Sequence, residues 1–268
     1  MDEGIVRVFH SKELDNLHNH IIGKRVYRYD TVGSTNDIAF MHALKGEKEG
    51  NVFWARAQTR GRGRRGRRWV SHKDKGLYFS IILKPDILVE EAPKITLLAA
   101  LAVCKALRKF SRHEFLIKWP NDIAVDDKKI GGILTEMDAE ADKVKFIILG
   151  IGINTNLKRN ELPTKKASSL KLLIQKEIEQ DNLLGLCLKE IDAHYFQFNK
   201  NGASDMIEEA RHLSGLWGRQ VKVNGRDEGV AVDFDEVGAL VVRQESGFLK
   251  HIFAGDVELL RPENRPWR

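Results

Sequence analysis

The sequence contains EFLIKWPNDIAVDDKKIGGILTEM at residues 114–137 and KVKFIILGIGINTN at residues 143–156, and these two stretches decide the fold. In each of them, short apolar runs are separated by residues that favour turns, such as Asp126-Asp127 and Gly131-Gly132. Apolar runs of this length, bounded by such residues, predict β-strands that meet at turns. We therefore expect several strands here, close together in the chain.

Strands and helices are also predicted on the N-terminal side of these stretches. A strand through Val26–Tyr29 and a turn at Gly33 precede a predicted helix. Ser34, followed three residues later by Asp37, has the form of a capping box at the start of that helix. Residues 51–58, NVFWARAQ, predict a further strand. The apolar face of the helix is expected to consist of Ile38, Met41 and Leu44.

The middle of the chain predicts one buried strand and two long helices. Residues 76–83, GLYFSIIL, form a continuous apolar run, which is typical of a strand buried on both faces. Pro93 begins a predicted helix that continues through Phe110. Asp181 is expected to cap a second helix. The inward-facing residues of this second helix are predicted to be Leu184, Leu188, Ile191 and Tyr195.

The pattern changes near residue 213. Beyond it, short alternating segments are interrupted every few positions by turn residues, which indicates a small β-barrel. We predict a large domain of mixed α and β structure at residues 1–213 and a small β domain at residues 214–268.

Composition limits the possible classes of protein. The chain has 268 residues, 42% of them hydrophobic, and a formal net charge of +6. Cys104 and Cys187 lie far apart, so a disulfide framework is not expected, and the N-terminal residues lack the apolar run of a signal peptide. The longest apolar runs are far shorter than the roughly 20 residues that span a membrane. We predict a soluble, cytoplasmic protein without a membrane segment.

Positive charge is concentrated in one loop, QTRGRGRRGRRW at residues 58–69. Its six arginines equal the whole net charge of +6, so the rest of the chain is near neutral. Arginines bind phosphate or carboxylate in forked pairs, and glycines let the backbone approach an anion closely. Taken alone, the loop fits better a solvated charge run, a localisation tract or an RNA-binding segment. Two features favour a site: the loop joins two predicted core strands, and it ends in Trp69.

Two further motifs carry chemically useful residues. In KWPNDI, a turn at Pro120-Asn121 leaves Lys118 and Asp122 at the rim of the sheet. The two side chains form either an ordinary exposed ion pair or a site that neutralises a phosphate and holds a magnesium ion. In KKIGGILTE, Lys129 precedes two glycines and is an ordinary hairpin lysine unless a ligand lies beside it.

GIGINTN follows the apolar run at Phe146–Leu149. Its spacing is G-x-G-x-N, without the third glycine or the following helix of a dinucleotide-binding motif, so we do not assign one. We predict instead a backbone turn that presents Asn154 to a ligand.

Taken together and in this order, GSTN, Q-x-x-GRGRRGRRW, KWPND, K-x-GGIL and GIGIN resemble the motifs of the biotin protein ligases, the biotin–acetyl-CoA-carboxylase ligases. The resemblance extends from about residue 26 to residue 156 and includes the C-terminal β domain. It implies an α+β fold in which a mixed sheet is flanked by helices, as in class II synthetases, followed by a small SH3-like β-barrel. It also implies that biotin is activated by MgATP to biotinyl-5′-AMP and then transferred to a lysine.

The resemblance implies the site residues, position by position. The groups that contact biotin are expected to be Ser34, Thr35, Asn36, Gln58, Arg62, Gly63, Arg64, Lys129 and Gly132. The groups that contact ATP or the adenylate are expected to be Arg62, Arg64, Arg67, Trp69, Asn121, Asp122 and Asn154, with Trp69 stacked on adenine. The catalytic residues are expected to be Arg64, Lys129 and Lys118. Mg²⁺ is assigned to Asp122.

The resemblance also implies partners. The acceptor is a biotin carboxyl carrier domain of a biotin-dependent carboxylase, and a homodimer formed by sheet pairing is expected. Only about 21 residues precede the first strand of the catalytic domain, so we expect a monofunctional ligase without a DNA-binding domain. A lipoate ligase and an RNA- or DNA-binding protein remain as alternatives. The arginine loop is expected to be mobile when the site is empty.

Overall fold

The computed structural model of the protein describes the backbone of Arg7–Val8 and all of residues 18–260. The expected absence of a DNA-binding domain concerns residues 1–21, most of which lie outside the described residues, and it stays a prediction. The last eight residues of the predicted β domain, 261–268, also lie outside them.

The larger sheet is mixed, as the sequence predicts. Its strands lie in the order β1-β2-β3-β4-β8-β7-β6-β5. β2 and β3 are parallel, and every other neighbouring pair is antiparallel. The strands are β1 (Arg7–Val8), β2 (Val26–Val32), β3 (Val52–Gln58), β4 (Gly76–Leu83), β5 (Leu116–Lys118), β6 (Asp122–Val125), β7 (Lys128–Glu140) and β8 (Lys143–Asn154).

Helices cover both faces of this sheet. Those described are α1 (Thr35–Leu44), α2 (Ala92–Ser111), α3 (Leu170–Ile174), α4 (Gln180–Asn201) and α5 (Ser204–His212). α2 packs on β5–β8 and against α4 and α5, and together they enclose the larger apolar core. α1 lies on β3, β4 and β8, over a smaller apolar cluster. A mixed sheet flanked by helices is thereby confirmed.

Two predictions about α1 are wrong. Ser34 stands at the N-cap, but its side chain makes no capping hydrogen bond. The expected apolar face points inward only at Ile38, which packs partly buried against the smaller cluster, whereas Met41 and Leu44 are 53% and 56% exposed. The buried residues of α1 are small or polar instead, since large rings from the sheet, such as Phe53 and Phe146, already fill the space beneath the helix. The inward-facing set comprises Thr35, Asn36, Ala39 and Ala43.

The other two predicted helices are confirmed, with small shifts at their ends. α2 has Pro93 in its first turn, as proline prefers. α4 begins one residue before Asp181, whose position is the first turn and not the cap. The four residues predicted to face inward from α4 are all buried.

The C-terminal residues form a five-stranded antiparallel sheet in the order β12-β11-β10-β9-β13. Phe234 and Leu240 of this sheet belong to the larger core, and the indole nitrogen of Trp119 donates a hydrogen bond to the carbonyl of Gly238 at 3.0 Å. The C-terminal sheet therefore packs directly on the larger part of the chain. The SH3-like description and the boundary at residue 213 stay predictions. Its strands are β9 (Gln220–Val223), β10 (Arg226–Phe234), β11 (Leu240–Arg243), β12 (Leu249–Ile252) and β13 (Val257–Leu259).

Within residues 18–260, no helix has the length and the apolar character needed to cross a membrane. Both cysteines are free and fully buried. The cytoplasmic location stays a prediction.

Candidate active site

A cavity of about 480 Å³ lies between the large sheet, the start of α1, the arginine-rich loop and the C-terminal sheet. Fourteen of the fifteen residues predicted for the site line it. Residues 60–69 cover one side of the cavity, and we call this segment the flap. The predicted residues that line the cavity are Ser34, Thr35, Asn36, Gln58, Arg62, Gly63, Arg64, Arg67, Trp69, Lys118, Asn121, Asp122, Lys129 and Gly132.

Three glycines form one surface of the cavity, which we call the glycine floor: Gly132 on β7 and Gly150 and Gly152 on β8. Gly132 lies opposite Gly152 in the antiparallel register. A Cβ atom on Gly152 would approach Cε2 of Trp69 to 2.6 Å, and one on Gly150 would approach Oδ1 of Asn36 to 2.0 Å. Glycine is needed at both positions because a ring and an amide lie directly on the strands.

The predicted turn at GIGIN is therefore wrong, since these residues continue β8 to its end. The glycines make room on the face of a strand rather than bending the chain. Asn154 is the predicted site residue that does not line the cavity. It is buried at the end of β8, where its side-chain amide donates a hydrogen bond to the carbonyl of Ser168 at 3.0 Å.

The start of α1 and the end of β3 supply a surface of uncharged polar groups, which we call the polar wall: Ser34, Thr35, Asn36 and Gln58. Oε1 of Gln58 accepts hydrogen bonds from the backbone N–H and the hydroxyl of Thr35 at 2.8 and 3.1 Å. Because this oxygen is occupied, its Nε2 points the other way and donates to Ser71 at 2.9 Å.

Ser80 supports the polar wall from below. Its hydroxyl lies 2.8 Å from that of Thr35 and donates to Oδ1 of Asn36 at 2.6 Å. Ser80 was not predicted as part of the site, although its sequence carries a signal. Ser80 is the single hydroxyl in GLYFSIIL other than that of a tyrosine, and a polar group inside a fully buried strand needs a partner.

The flap is held by acidic and polar groups from distant parts of the chain. Nη2 of Arg62 lies 2.7 Å from Asp37 and 2.6 Å from Glu136. Nη1 of Arg64 donates to Oδ1 of Asn121 at 3.2 Å and to the carbonyl of Gly255 at 3.3 Å. Burial lowers the pKa of Arg64 below its ordinary value, although the guanidinium remains a cation at neutral pH.

The segment that joins β12 to β13 contributes directly to this arrangement. The carboxylate of Asp256 forms ion pairs with Arg65 and Arg67 of the flap. Nothing in the local sequence of Asp37, Glu136 or Asp256 indicates an arginine partner, so their contacts with the flap were not predicted. The expected mobility of the empty flap stays a prediction.

Lys129 and Asp122 face each other across neighbouring strands, with Nζ 2.5 Å from Oδ1. Nζ of Lys129 also lies 5.2 Å from the centre of the Trp69 ring, within the range of a cation–π contact. Lys118 lies near this pair at the end of β5, so the cavity brings together the three predicted catalytic cations, Lys118, Lys129 and Arg64. Within residues 18–260, no cluster of three or more histidine, cysteine or acidic residues forms a ready metal cage.

Known proteins are similar to both the larger and the C-terminal part of this chain. Residues 29–154 match the biotin/lipoate A/B protein ligase family, and residues 217–260 match the biotin protein ligase C-terminal domain. The chain is 34% identical over 249 residues to the bifunctional ligase/repressor BirA of Bacillus subtilis, covering 91% of this chain and 76% of that protein. It is 30% identical over 238 residues to the biotin–[acetyl-CoA-carboxylase] ligase of Mycobacterium tuberculosis, covering 85% and 86%.

A solved structure is similar over nearly its whole length. The biotin protein ligase of Aquifex aeolicus in complex with biotin and ATP superimposes with a TM-score of 0.76 and 29% identity. The similarity covers 89% of this chain and 99% of that one. The two domain matches, the identity to full-length relatives and the shared fold lead to one conclusion: the chain belongs to the biotin protein ligase family.

Proposed function

We propose that this protein activates biotin with ATP to form biotinyl-5′-AMP and pyrophosphate, and then transfers the biotinyl group to a lysine of a biotin carboxyl carrier domain, releasing AMP. One observation carries the proposal: a single cavity of about 480 Å³ has an uncharged polar wall on one side and clustered cations on the other. Biotin has the same two ends, a neutral ureido ring and a carboxylate.

The ureido ring is assigned to the polar wall. Its carbonyl is a hydrogen-bond acceptor and its two N–H groups are donors, so it needs a surface that offers both kinds of group. The hydroxyl of Ser34 and the amide oxygen of Asn36 supply them without charge. Ser34, Thr35 and Asn36 are each less than 5% exposed. Their burial favours a neutral ring over a charged one, because desolvating an unpaired charge is costly.

The biotin carboxylate and the triphosphate of ATP are assigned to the cationic side of the cavity. In the first step, a carboxylate oxygen forms a bond to the α-phosphorus, the bond from that phosphorus to the bridging oxygen breaks, and pyrophosphate leaves with the electron pair. Two anions must approach each other, so fixed positive charges stabilise both the encounter and the transition state. The proposed cations are Arg62, Arg64, Arg67, Lys118 and Lys129.

Adenine is assigned to Trp69. The indole lies on the glycine floor beside Lys129, and its Nε1 is buried without a hydrogen-bond partner among the described residues. A buried donor without a partner is unfavourable in the protein alone and is satisfied when a ligand supplies an acceptor. Asn121, which also lines the cavity, is assigned to the adenylate side, and Gly63 of the flap is assigned to biotin.

Mg²⁺ is part of the proposal. It commonly binds to one or two carboxylates together with substrate phosphates, so it does not need a cage made of protein alone. Asp122 provides such a carboxylate beside Lys129. When bound there, the ion adds positive charge next to the phosphates. Asp122 also holds the ammonium of Lys129 at the place where the carboxylate and phosphate meet.

In the second step, the amine of the acceptor lysine attacks the carbonyl carbon of the mixed anhydride. The bond from that carbon to the phosphate oxygen breaks, AMP leaves and an amide forms. The flap covers the adenylate, which protects the anhydride from water until the carrier domain arrives.

A homodimer formed by sheet pairing is also part of the proposal, and sedimentation of the protein with and without biotin tests it.

One assay tests the proposed function. The protein is incubated with labelled biotin, MgATP and a purified carrier domain, and covalent label on the carrier is measured. We expect label that requires ATP, together with pyrophosphate release that requires both biotin and ATP. Lipoate in place of biotin is the control, and we expect no transfer from it. Transfer of lipoate, or no covalent label from biotin, contradicts the proposal.

A further inference from the structure

We propose that Glu136 is a positioning residue that links the polar wall to the flap, so that biotin bound at the wall favours closure of the flap. The inference rests on the proposed function, because it takes biotin as the ligand of the wall. Glu136 lies on β7 opposite Ile148 and is not among the residues that line the main cavity. It therefore acts through its neighbours and not by touching the ligand.

One oxygen of Glu136 holds both partners. Its Oε2 accepts a hydrogen bond from Nδ2 of Asn36 at 2.7 Å and another from Nη2 of Arg62 at 2.6 Å. Asn36 belongs to the wall, and Arg62 belongs to the flap. The two residues are 26 positions apart in sequence, and this shared oxygen joins them directly.

The same contact fixes the orientation of the Asn36 amide. A carboxylate can only accept, so the NH₂ group must face Glu136 and the oxygen must face Ser80, which donates to it at 2.6 Å. One lone pair of the Asn36 oxygen then remains for a donor on the ligand, and a ureido N–H is such a donor. Without the negative charge of Glu136, the NH₂ group keeps only its longer contact, to the carbonyl of Leu134 at 3.4 Å, and the orientation is held less firmly.

The link is reciprocal. If biotin fixes Asn36, the Glu136 carboxylate is better placed for Arg62, and a closed flap fixes Asn36 for biotin. Coupled binding and closure must strengthen each other by the same factor. Asp37 provides a natural comparison, because it pairs with Arg62 at 2.7 Å but makes no hydrogen bond to Asn36 among those described.

The experiment compares Glu136→Gln with Asp37→Asn. Glu140→Gln is the matched control, since Glu140 lies on the same strand, pairs only with Lys145 among the described residues and is outside the cavity. The dissociation constant of biotin is measured by calorimetry. Flap closure is measured as the rate of trypsin cleavage after the arginines of residues 60–68, with and without biotin.

We expect biotin to slow cleavage of the wild-type flap and of the Glu140→Gln flap equally. Asp37→Asn should speed cleavage but change the biotin dissociation constant by less than about twofold, because it removes one partly exposed ion pair. Glu136→Gln should weaken biotin binding by about tenfold, since it removes charge-assisted hydrogen bonds, and should abolish protection of the flap by biotin.

Wild-type affinity and protection in Glu136→Gln would overturn the inference. So would identical behaviour of Glu136→Gln and Asp37→Asn, because Glu136 would then act on Arg62 alone. Failure of the wild-type protein to bind biotin is a different result, which removes the proposed function as well. If Glu136→Gln unfolds at a clearly lower temperature, Glu136→Asp serves in its place. Glu136→Asp keeps the negative charge but moves it back by the length of one methylene group. The biotin dissociation constant and the protection of the flap by biotin are then judged in the same way.

Discussion

The glycine floor supports a comparison of two nearly identical substitutions, Gly150→Ala and Gly152→Ala. Both glycines lie on β8, two residues apart and on the same face. Neither has a left-handed φ, so alanine fits the backbone at both positions. Any difference between the variants therefore comes from what the added methyl group touches.

The two methyl groups meet very different neighbours. At residue 150 the Cβ lies 2.0 Å from Oδ1 and 2.8 Å from Cγ of Asn36, which is 4% exposed and bonded to fully buried Ser80. Overpacking of a core costs about 1–3 kcal/mol. Displacing Asn36 also breaks a buried hydrogen bond, which costs about 1–3 kcal/mol. We expect Gly150→Ala to lower the free energy of unfolding by about 2–4 kcal/mol, within the 5–15 kcal/mol typical of a folded domain.

At residue 152 the Cβ lies 2.6 Å from Cε2 and Nε1 of Trp69. Trp69 belongs to the flap, and its Nε1 has no partner to lose among the described residues. The ring can move away with the loop, so we expect a cost in stability below about 1 kcal/mol. The substitution should instead impair formation or retention of the adenylate, because Trp69 can no longer lie on the glycine floor beside Lys129.

Denaturant unfolding, calorimetric titration with biotin and pyrophosphate release separate these effects. Gly150→Ala should show a lower unfolding midpoint and weaker biotin binding. Gly152→Ala should keep the wild-type midpoint and bind biotin, but should form or retain the adenylate poorly. The reasoning is refuted if Gly150→Ala matches the wild-type protein in both stability and biotin affinity, or if Gly152→Ala is the less stable of the two.

Three further predictions concern single groups. Lys129→Ala should slow adenylate formation by about 100-fold, because one preorganised cation is lost. The unfolding midpoint should stay near that of the wild type. A normal rate of pyrophosphate release would contradict the role of this lysine. Burial raises the pKa of Cys104 to about 12 and raises that of Cys187 further. A thiol reagent at neutral pH should therefore modify neither cysteine until the protein unfolds. Rapid labelling of the native protein would contradict this prediction, because it would show that a thiol is accessible. Hydrogen bonds from Arg56 hold the pKa of Asp74 below its ordinary value, so this pair stabilises the fold above about pH 4 and loses its effect as the pH falls through the lowered pKa. Asp74→Asn should therefore lower the free energy of unfolding by less than about 1 kcal/mol near neutral pH, because the pair is half exposed. In chemical unfolding, the difference between this variant and the wild type should shrink towards pH 3. A difference that stays constant with pH would argue against the ion pair.

Much of the site could be predicted from the sequence because its groups are contributed by short, continuous motifs. The arginines of the flap, the lysine of KWPND and the lysine of K-x-GGIL each carry their chemistry within a few residues. Fourteen predicted residues line one cavity, whereas Asn154 does not, because β8 continues straight where a turn was expected. The period of hydrophobic residues predicted α2 and α4 well, since both bury one large apolar face.

The groups that hold this chemistry in place could not be predicted in the same way. Arg62 meets Glu136 across 74 positions, and the partner of Arg67, Asp256, lies 189 positions away, directly before β13 of the other sheet. α1 contradicts its own hydrophobic pattern, because rings from neighbouring strands had already filled the space that Met41 and Leu44 were expected to occupy.

The sequence by itself therefore determined which chemical groups are available for the site and the order of the strands and helices that carry them. Both can be read from short motifs, because they depend only on residues that are neighbours in the chain. Only the tertiary structure decided which acid restrains which arginine, and why Gly150 and Gly152 cannot carry a side chain without displacing Asn36 or Trp69. Both depend on distances between segments far apart in sequence, and those distances exist only after the sheet has formed.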